Sequence, residues 1–457
     1  MRTDVVVENP YTGELLATIP GVNSSQIEEM VARAKDVFRR VGRNMTPYER
    51  YEILFSVADK IRTLREQLAN LITEESGKPI KDSFIEVDRA RQTFLFSAEE
   101  ARNIRGESIP CDVTEVRTDK TVMTRRVPLG VVAAITPFNF PLNLAAHKVG
   151  PAIAAGNAVI LKPSSLAPLT ALRLHELFAE AGCPEGLFQV AIGRGPVGEA
   201  LALHKKVRLV SFTGSVSTGQ RLAAAIGVKR LLLELGGNDP LLIMPDADLE
   251  EAAKTAVDHG MGSSGQRCTA VKRVLVHKDV EEPFTALVVS LAETLRVGDP
   301  GKPDTDLGPL ITVEAAIEVE RRIHQALEDG ARLLIGGKRK GSFVDPTVLT
   351  EVNPESELVQ QETFGPVLPI MSFTDIEEAI QICNSTDFGL QAGVFTNNIA
   401  LVKRLFNEID VGALIVNGGP GFRIEHLPFG GTKMSGIGRE GVKYAIEEMT
   451  ETKSLVF

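Results

Sequence analysis

The sequence predicts an α/β protein organised around parallel sheets, and three observations lead there. From residue 131 onward, short apolar runs alternate with helical stretches, the pattern of βαβ units. The region before it reads as mostly helical. The length of 457 residues exceeds one ordinary core, so two or three domains are expected.

Taken in order, Ser25 to Glu28 fits a capping box, followed by Ile27, Met30, Val31, Ala34 and Phe38 on one helix face. Thr46-Pro47-Tyr48-Glu49 is a second such box, with proline at the first helical position. Ile53, Leu54, Val57, Ile61, Leu64 and Leu68 continue as a 3.6-residue stripe, and Gly77 closes the region. Residues 112–127 alternate and are β-branched and charged, which suits an exposed antiparallel strand that pairs with another element or subunit. The end, TETKSLVF (450–457), has similar character.

Residues 127–146 run uncharged for twenty positions, the span of a membrane helix. Pro128, Pro137 and Pro141 would leave that backbone unsatisfied in lipid, so it reads as a buried strand entering a loop. The strands expected next are VVAAI (131–135), AVILK (158–162), LFQVA (187–191), VRLVSF (207–212) and RLLLEL (230–235). Helices fall between them at about 168–181 and 216–226, and a second α/β stretch fills about 241–425.

Composition is ordinary for a globular protein, with 43% hydrophobic and 24% charged residues. A net charge of −10 disfavours nucleic-acid binding. The four cysteines, Cys111, Cys183, Cys268 and Cys383, form no CxxC pair, and the seven histidines show no metal-ligand spacing. No metal is expected. The N-terminus has no signal-peptide pattern, so a soluble cytoplasmic protein is expected.

Several short motifs carry chemistry. SFTGSVSTG (211–219) follows a strand and opens a helix, placing Gly214 and Ser215 where free N–H donors suit a phosphate; a plain turn fits equally. Lys162 lies at a strand's carboxyl end, where it reads either as a ligand to ribose hydroxyls or as a snorkelling lysine. Glu234 ends an apolar run before two glycines, so desolvation raises its pKa toward a general base; a salt-bridged glutamate is the alternative. Asn139, between two proline bends, is an oxyanion donor or a turn cap. Cys268 in GQRCTAVKR is a small buried hydrophobe or a nucleophile whose pKa the adjacent Arg267 lowers.

In order, TPFNFP, KPS, FTGS, LELGG, GQRC, ETFGP (362–366) and PFGG (428–431) resemble the aldehyde dehydrogenase superfamily over nearly the whole length. GQRCTAVKR and the final residues are similar to the branch of non-phosphorylating glyceraldehyde-3-phosphate, phosphonoacetaldehyde and lactaldehyde dehydrogenases. The resemblance implies a Rossmann-like cofactor domain (1–111 and 128–236), an α/β catalytic domain (237–428) and a small β oligomerisation element (112–127 and 443–457). It implies that Cys268 adds to an aldehyde, that Asn139 and the Cys268 N–H hold the oxyanion, and that Glu234 activates water to hydrolyse a thioester. Thr136, Pro137, Phe138, Lys162, Ser165, Gly214, Ser215, Glu362 and Phe364 would line the cofactor, with Lys162 and Glu362 on ribose hydroxyls. A homodimer or homotetramer is implied.

An arginine fork reads phosphate, sulfonate or carboxylate, so Arg267 and Arg423 are candidate anion clamps, with His147 and Arg105 as further candidates. Pairing of the two arginines with local carboxylates is the alternative. Many NAD-preferring members carry glutamate where this chain has Ser165, so NADP is tolerated alongside NAD. The expected reaction is NADP- or NAD-dependent oxidation of a small anionic or hydroxylated aldehyde. Acyl transfer to CoA, or a catalytically silent nucleotide-binding protein on the same fold, are the competing readings.

Overall fold

The computed structural model describes residues 4–115 and 118–457. Two largely parallel sheets dominate it. In the first, the chain begins at Val131–Ile135, moves outward through Ala158–Lys162 and Phe188–Val190, then returns to the other side of its starting strand with Val207–Thr213 and Arg230–Glu234. These five strands are parallel, and Gly436–Ile437 adds an antiparallel edge. The reversal between Val131–Ile135 and Val207–Thr213 leaves a crevice beyond their carboxyl ends, where open α/β sheets bind ligands.

The apolar runs form strands because both faces are covered. Val131–Ile135 and Ala158–Lys162 are buried at every residue. One core joins this sheet to the helices Ser24–Arg40, Pro47–Thr63, Arg65–Ser76 and Ile80–Ala101 and to the wholly buried helix Asn143–Ala154. The second sheet runs in the order Arg332–Ile335, Thr347–Thr350, Val367–Phe373, Val271–His277, Asp239–Ile243, Gln391–Phe395, Ala413–Val416. Only its first pair is antiparallel. Separate apolar cores lie against it.

Local structure departs from expectation in four places. The first helix starts at Ser24, because Asn23 and Gln26 form the reciprocal box two residues upstream of Ser25. The stripe through Leu64 spans two helices: Leu64 (φ −101°, ψ 20°) breaks them, while Ile61 and Leu68 stay buried on either side. Within 112–127 only Val122 onward is strand, pairing antiparallel with Thr450–Val456 and Ser108–Ile109; residues 116 and 117 lie outside the described residues. Most of residues 443–449 are helical, in Val442–Glu448, so the terminal strand begins at Thr450. The Thr46 box forms as expected, with Glu49 N–H donating to Thr46 Oγ1 at 3.2 Å.

Candidate active site

The two sheets meet at a glycine pair. Arg230–Glu234 runs through Leu235-Gly236-Gly237-Asn238 directly into Asp239–Ile243. A Cβ on Gly237 would lie 2.1 Å from the carbonyl oxygen of Cys268, and one on Gly236 2.4 Å from Glu362 Oε2. Only glycine lets the segments bearing Cys268 and Glu362 close here. Cys268 follows a tight turn in which Ser263 (φ 53°) and Ser264 (φ 55°) are left-handed without being glycine. Asp82 accepts from Ser263 N at 2.9 Å, and Gly308 O accepts from Ser264 Oγ at 2.8 Å, fixing that turn.

Cys268 opens on a cavity of about 310 Å³. Phe138, Asn139, Gly214, Ser215, Arg267, Glu362, Phe364 and Arg423, all expected site residues, line it with Cys268. Asn139 Nδ2 donates to Gln266 O at 3.0 Å, which leaves its second Nδ2 hydrogen free. Among the described residues, no protein acceptor takes the Cys268 N–H. Phe138 and Phe364 meet edge to face with centroids 6.2 Å apart. A second cavity of about 400 Å³ lies beyond the strand reversal, lined by Thr136, Lys162, Ser164, Gly198, Thr218 and Arg221. Pro137, Thr213 and Gly214 line both. Ser165, half-buried, lines neither.

The electrostatics correct one expectation. Arg267 does not make Cys268 acidic. Burial pushes the thiol up to about 12, reinforced by Glu362, Asp239 and Glu234 and opposed by Arg423. Glu234 stands behind the cavity wall, with neither carboxyl oxygen hydrogen-bonded among the described residues. Burial, then Glu440, raises its pKa well above the usual carboxylate range. Burial alone brings Lys162 down to about 8, and among the described residues no carboxylate pairs with it.

The substrate candidates separate. Among the described residues, Arg267 hydrogen-bonds the carbonyl of Gly421, at 3.4 Å, and its buried Nε has no partner. Arg423 lines the cavity but is also paired, with Nη2 donating to Glu440 Oε2 at 3.1 Å, so the local-carboxylate alternative applies to it. His147 does not reach the cavity: fully buried, it hydrogen-bonds Glu425 through Nε2 at 2.5 Å, because a fixed carboxylate lies behind the wall. Arg105 is exposed and lines a different hollow with Arg126 and Lys443, beside the antiparallel ribbon. Two residues not anticipated from the sequence join the cavities. Arg89 lines the first, its Nε bonded to Glu425 Oε1 at 2.5 Å; Arg221 lines the second. Both sit on helices whose polar positions look alike in sequence. Only their placement singles them out.

A buried thiol, amide donors and a buried carboxyl gather where the two α/β sheets meet, next to a groove at a strand-order reversal. The family model for the aldehyde dehydrogenase family matches residues 2–455, and the chain belongs to that family. It is 45% identical to a sulfoacetaldehyde dehydrogenase from Neptuniibacter caesariensis, over 98% of both chains. It is 43% identical to a lactaldehyde dehydrogenase from Methanococcus vannielii, over 100% of this chain and 97% of the relative. The crystal structure of the glyceraldehyde-3-phosphate dehydrogenase GapN from Methanocaldococcus jannaschii, complexed with NADP, superposes with a TM-score of 0.96 at 39% identity, covering 100% of this chain and 99% of that one.

Proposed function

We propose that this enzyme oxidises a short aldehyde bearing a sulfonate, phosphonate or phosphate group to its carboxylate, with NADP or NAD as hydride acceptor. The observation that carries the substrate class is Arg267, which lines the cavity onto which Cys268 opens beside two guanidiniums, Arg89 and Arg423, that are already paired with Glu425 and Glu440. Arg267 makes no salt bridge among the described residues, and Asp82 acts on it without a direct ion pair, so its donors are left for a ligand. Two matched relatives, named for sulfoacetaldehyde and 3-sulfolactaldehyde, support an anionic substrate.

The residues present fit a dinucleotide. An ammonium without a carboxylate partner, glycines at 198 and 214, and the open N-terminus of helix Val216–Ala225 surround the second cavity. Lys162 would take ribose hydroxyls there, Glu362 those nearer Cys268, and Phe364 would flank the nicotinamide. The bound nucleotide supplies the acceptor for the hydride.

The chain's own residues carry the rest. Cys268 loses its proton to solvent, the thiolate sulfur adds to the carbonyl carbon, and the negative charge that moves onto oxygen is met by Asn139 Nδ2 and the Cys268 N–H. Loss of hydride from the thiohemiacetal leaves a thioester on Cys268. Glu234, its pKa raised by burial, takes the proton from the water that hydrolyses the thioester. A carboxyl serving as general base there favours water over a CoA thiol as acyl acceptor. The first sheet and its helices thus serve the nucleotide, and the second sheet the aldehyde. The antiparallel ribbon exposes Met123, Leu455, Val456 and Phe457, an apolar face suited to a homodimer or homotetramer contact. No helix among the described residues is long and apolar enough to cross a membrane. The four free cysteines suit a reducing cytoplasm.

Arg267→Ala tests the substrate class. We expect KM for sulfoacetaldehyde to rise at least about tenfold, the cost of one lost charge-assisted contact, with a much smaller change for propanal. Equal changes with both aldehydes would remove the anion reading.

A further inference from the structure

The guanidinium of Arg267 lies in a slot made of missing side chains. A Cβ on Gly421 would stand 2.6 Å from Arg267 Nη2, and one on Gly262 3.4 Å from Nη1. Gly421 also anchors the slot with its backbone: its carbonyl accepts from Arg267 Nη2 at 3.4 Å, and its N–H donates to His259 Nδ1 at 3.2 Å. The same Cβ on Gly421 would come within 2.9 Å of His259 Nδ1. His259 can accept that bond because it is neutral: burial, then Arg267, lowers its pKa to about 4. It therefore adds no positive charge beside Arg267 near neutral pH.

Backbone conformation does not require glycine at 421, which lies outside the left-handed region. What a side chain there meets is a guanidinium, the far end of a long flexible side chain, on one side and a buried imidazole on the other. The guanidinium yields first. The side chain at 421 thus decides where the unpaired cation of the cavity sits, without altering any charge.

We infer that Gly421 is a specificity-determining position that acts through Arg267: its bare α-carbon keeps the guanidinium where it meets the anionic group of the substrate. The inference rests on the anionic-aldehyde reading and refines it. Gly421 is a positioning residue here, since Arg267 would make the contact.

The test is the selectivity ratio, kcat/KM for sulfoacetaldehyde divided by kcat/KM for propanal, with the nucleotide saturating. Any loss of folded enzyme divides out of this ratio, and the Arg267→Ala background separates a steric effect on the bulkier substrate from displacement of the guanidinium. Gly421→Ala should lower it at least about tenfold, carried by KM for sulfoacetaldehyde. In an Arg267→Ala background, the same change at 421 should leave the ratio where Arg267→Ala put it, because the group it displaces is gone. A wild-type preference for sulfoacetaldehyde that survives Gly421→Ala overturns this inference and spares the substrate reading. So does an equal fall in the Arg267→Ala background. A wild-type ratio near one overturns the substrate reading itself.

Discussion

At Cys268 the protein surrounds its own sulfur with groups that keep the proton on. Burial and the carboxyls of Glu362, Asp239 and Glu234 outweigh the opposing cation Arg423, and the thiol rises to about 12. In the proposed role Cys268 is thus a nucleophile held in reserve, since only the thiolate attacks. Because the group titrates far above neutrality, its thiolate fraction grows about tenfold per pH unit well into the alkaline range. Alkylation of Cys268 by iodoacetamide in the free enzyme, followed on the Cys268 peptide by mass spectrometry, should therefore rise with unit slope from pH 7 to pH 9. A plateau below pH 8 would show an acidic thiol. Cys268, Glu234 and Asn139 stand out in the sequence because each interrupts an apolar, glycine- or proline-rich stretch with a reactive group. The thiol's pKa does not, since its perturbing carboxyls come from two other segments, Glu234 and Asp239 from one and Glu362 from the other. Arg89 is equally hidden: in IKDSFIEVDRARQTF nothing separates it from Arg91, and only the turn of the helix decides which lines the cavity.

At the scale of elements, the strands of the first sheet are legible because continuous apolar runs are what burial on both faces demands. Caps are less so. Asn23 and Ser25 both offer a side-chain acceptor two residues apart, and the choice falls to Asn23 because Gln26 completes its box. The helix Val216–Ala225 carries the element-level prediction. Its N-terminus abuts Gly214 and Ser215, and Arg221, more than one turn on, lines the same cavity as Lys162 and Ser164. Among the described residues Arg221 hydrogen-bonds only Thr218 Oγ1, at 3.5 Å, so its charge would be available to a 2′-phosphate. Arg221→Ala should raise KM for NADP by about tenfold while KM for NAD changes little. Equal effects on both nucleotides would place the phosphate contact elsewhere. Ser165, which sequence reading weighs in the same choice, leaves the cavity wall to Ser164.

The molecule as a whole is two sheets abutting through Leu235-Gly236-Gly237-Asn238, with the carboxyl end of one strand becoming the amino end of the next. That layout sets Glu234 at the end of the first sheet and Cys268 just ahead of a strand of the second. Acid–base and nucleophilic groups therefore arrive from opposite sides, and the nucleotide groove opens beside them. An overall charge of −10 surrounds a cavity lined by three guanidiniums, two of them paired, so the attraction for the proposed anionic aldehyde would be local to the site. The central claim is that chemistry runs through a thioester on Cys268 that Glu234 helps to clear. Rapid mixing of Glu234→Gln with saturating NADP and sulfoacetaldehyde measures it directly. The account predicts a burst at 340 nm close to one reduced nucleotide per site, then slow turnover, with the acyl mass on the Cys268 peptide. Turnover at the wild-type rate with no burst and no adduct on Cys268 would contradict it.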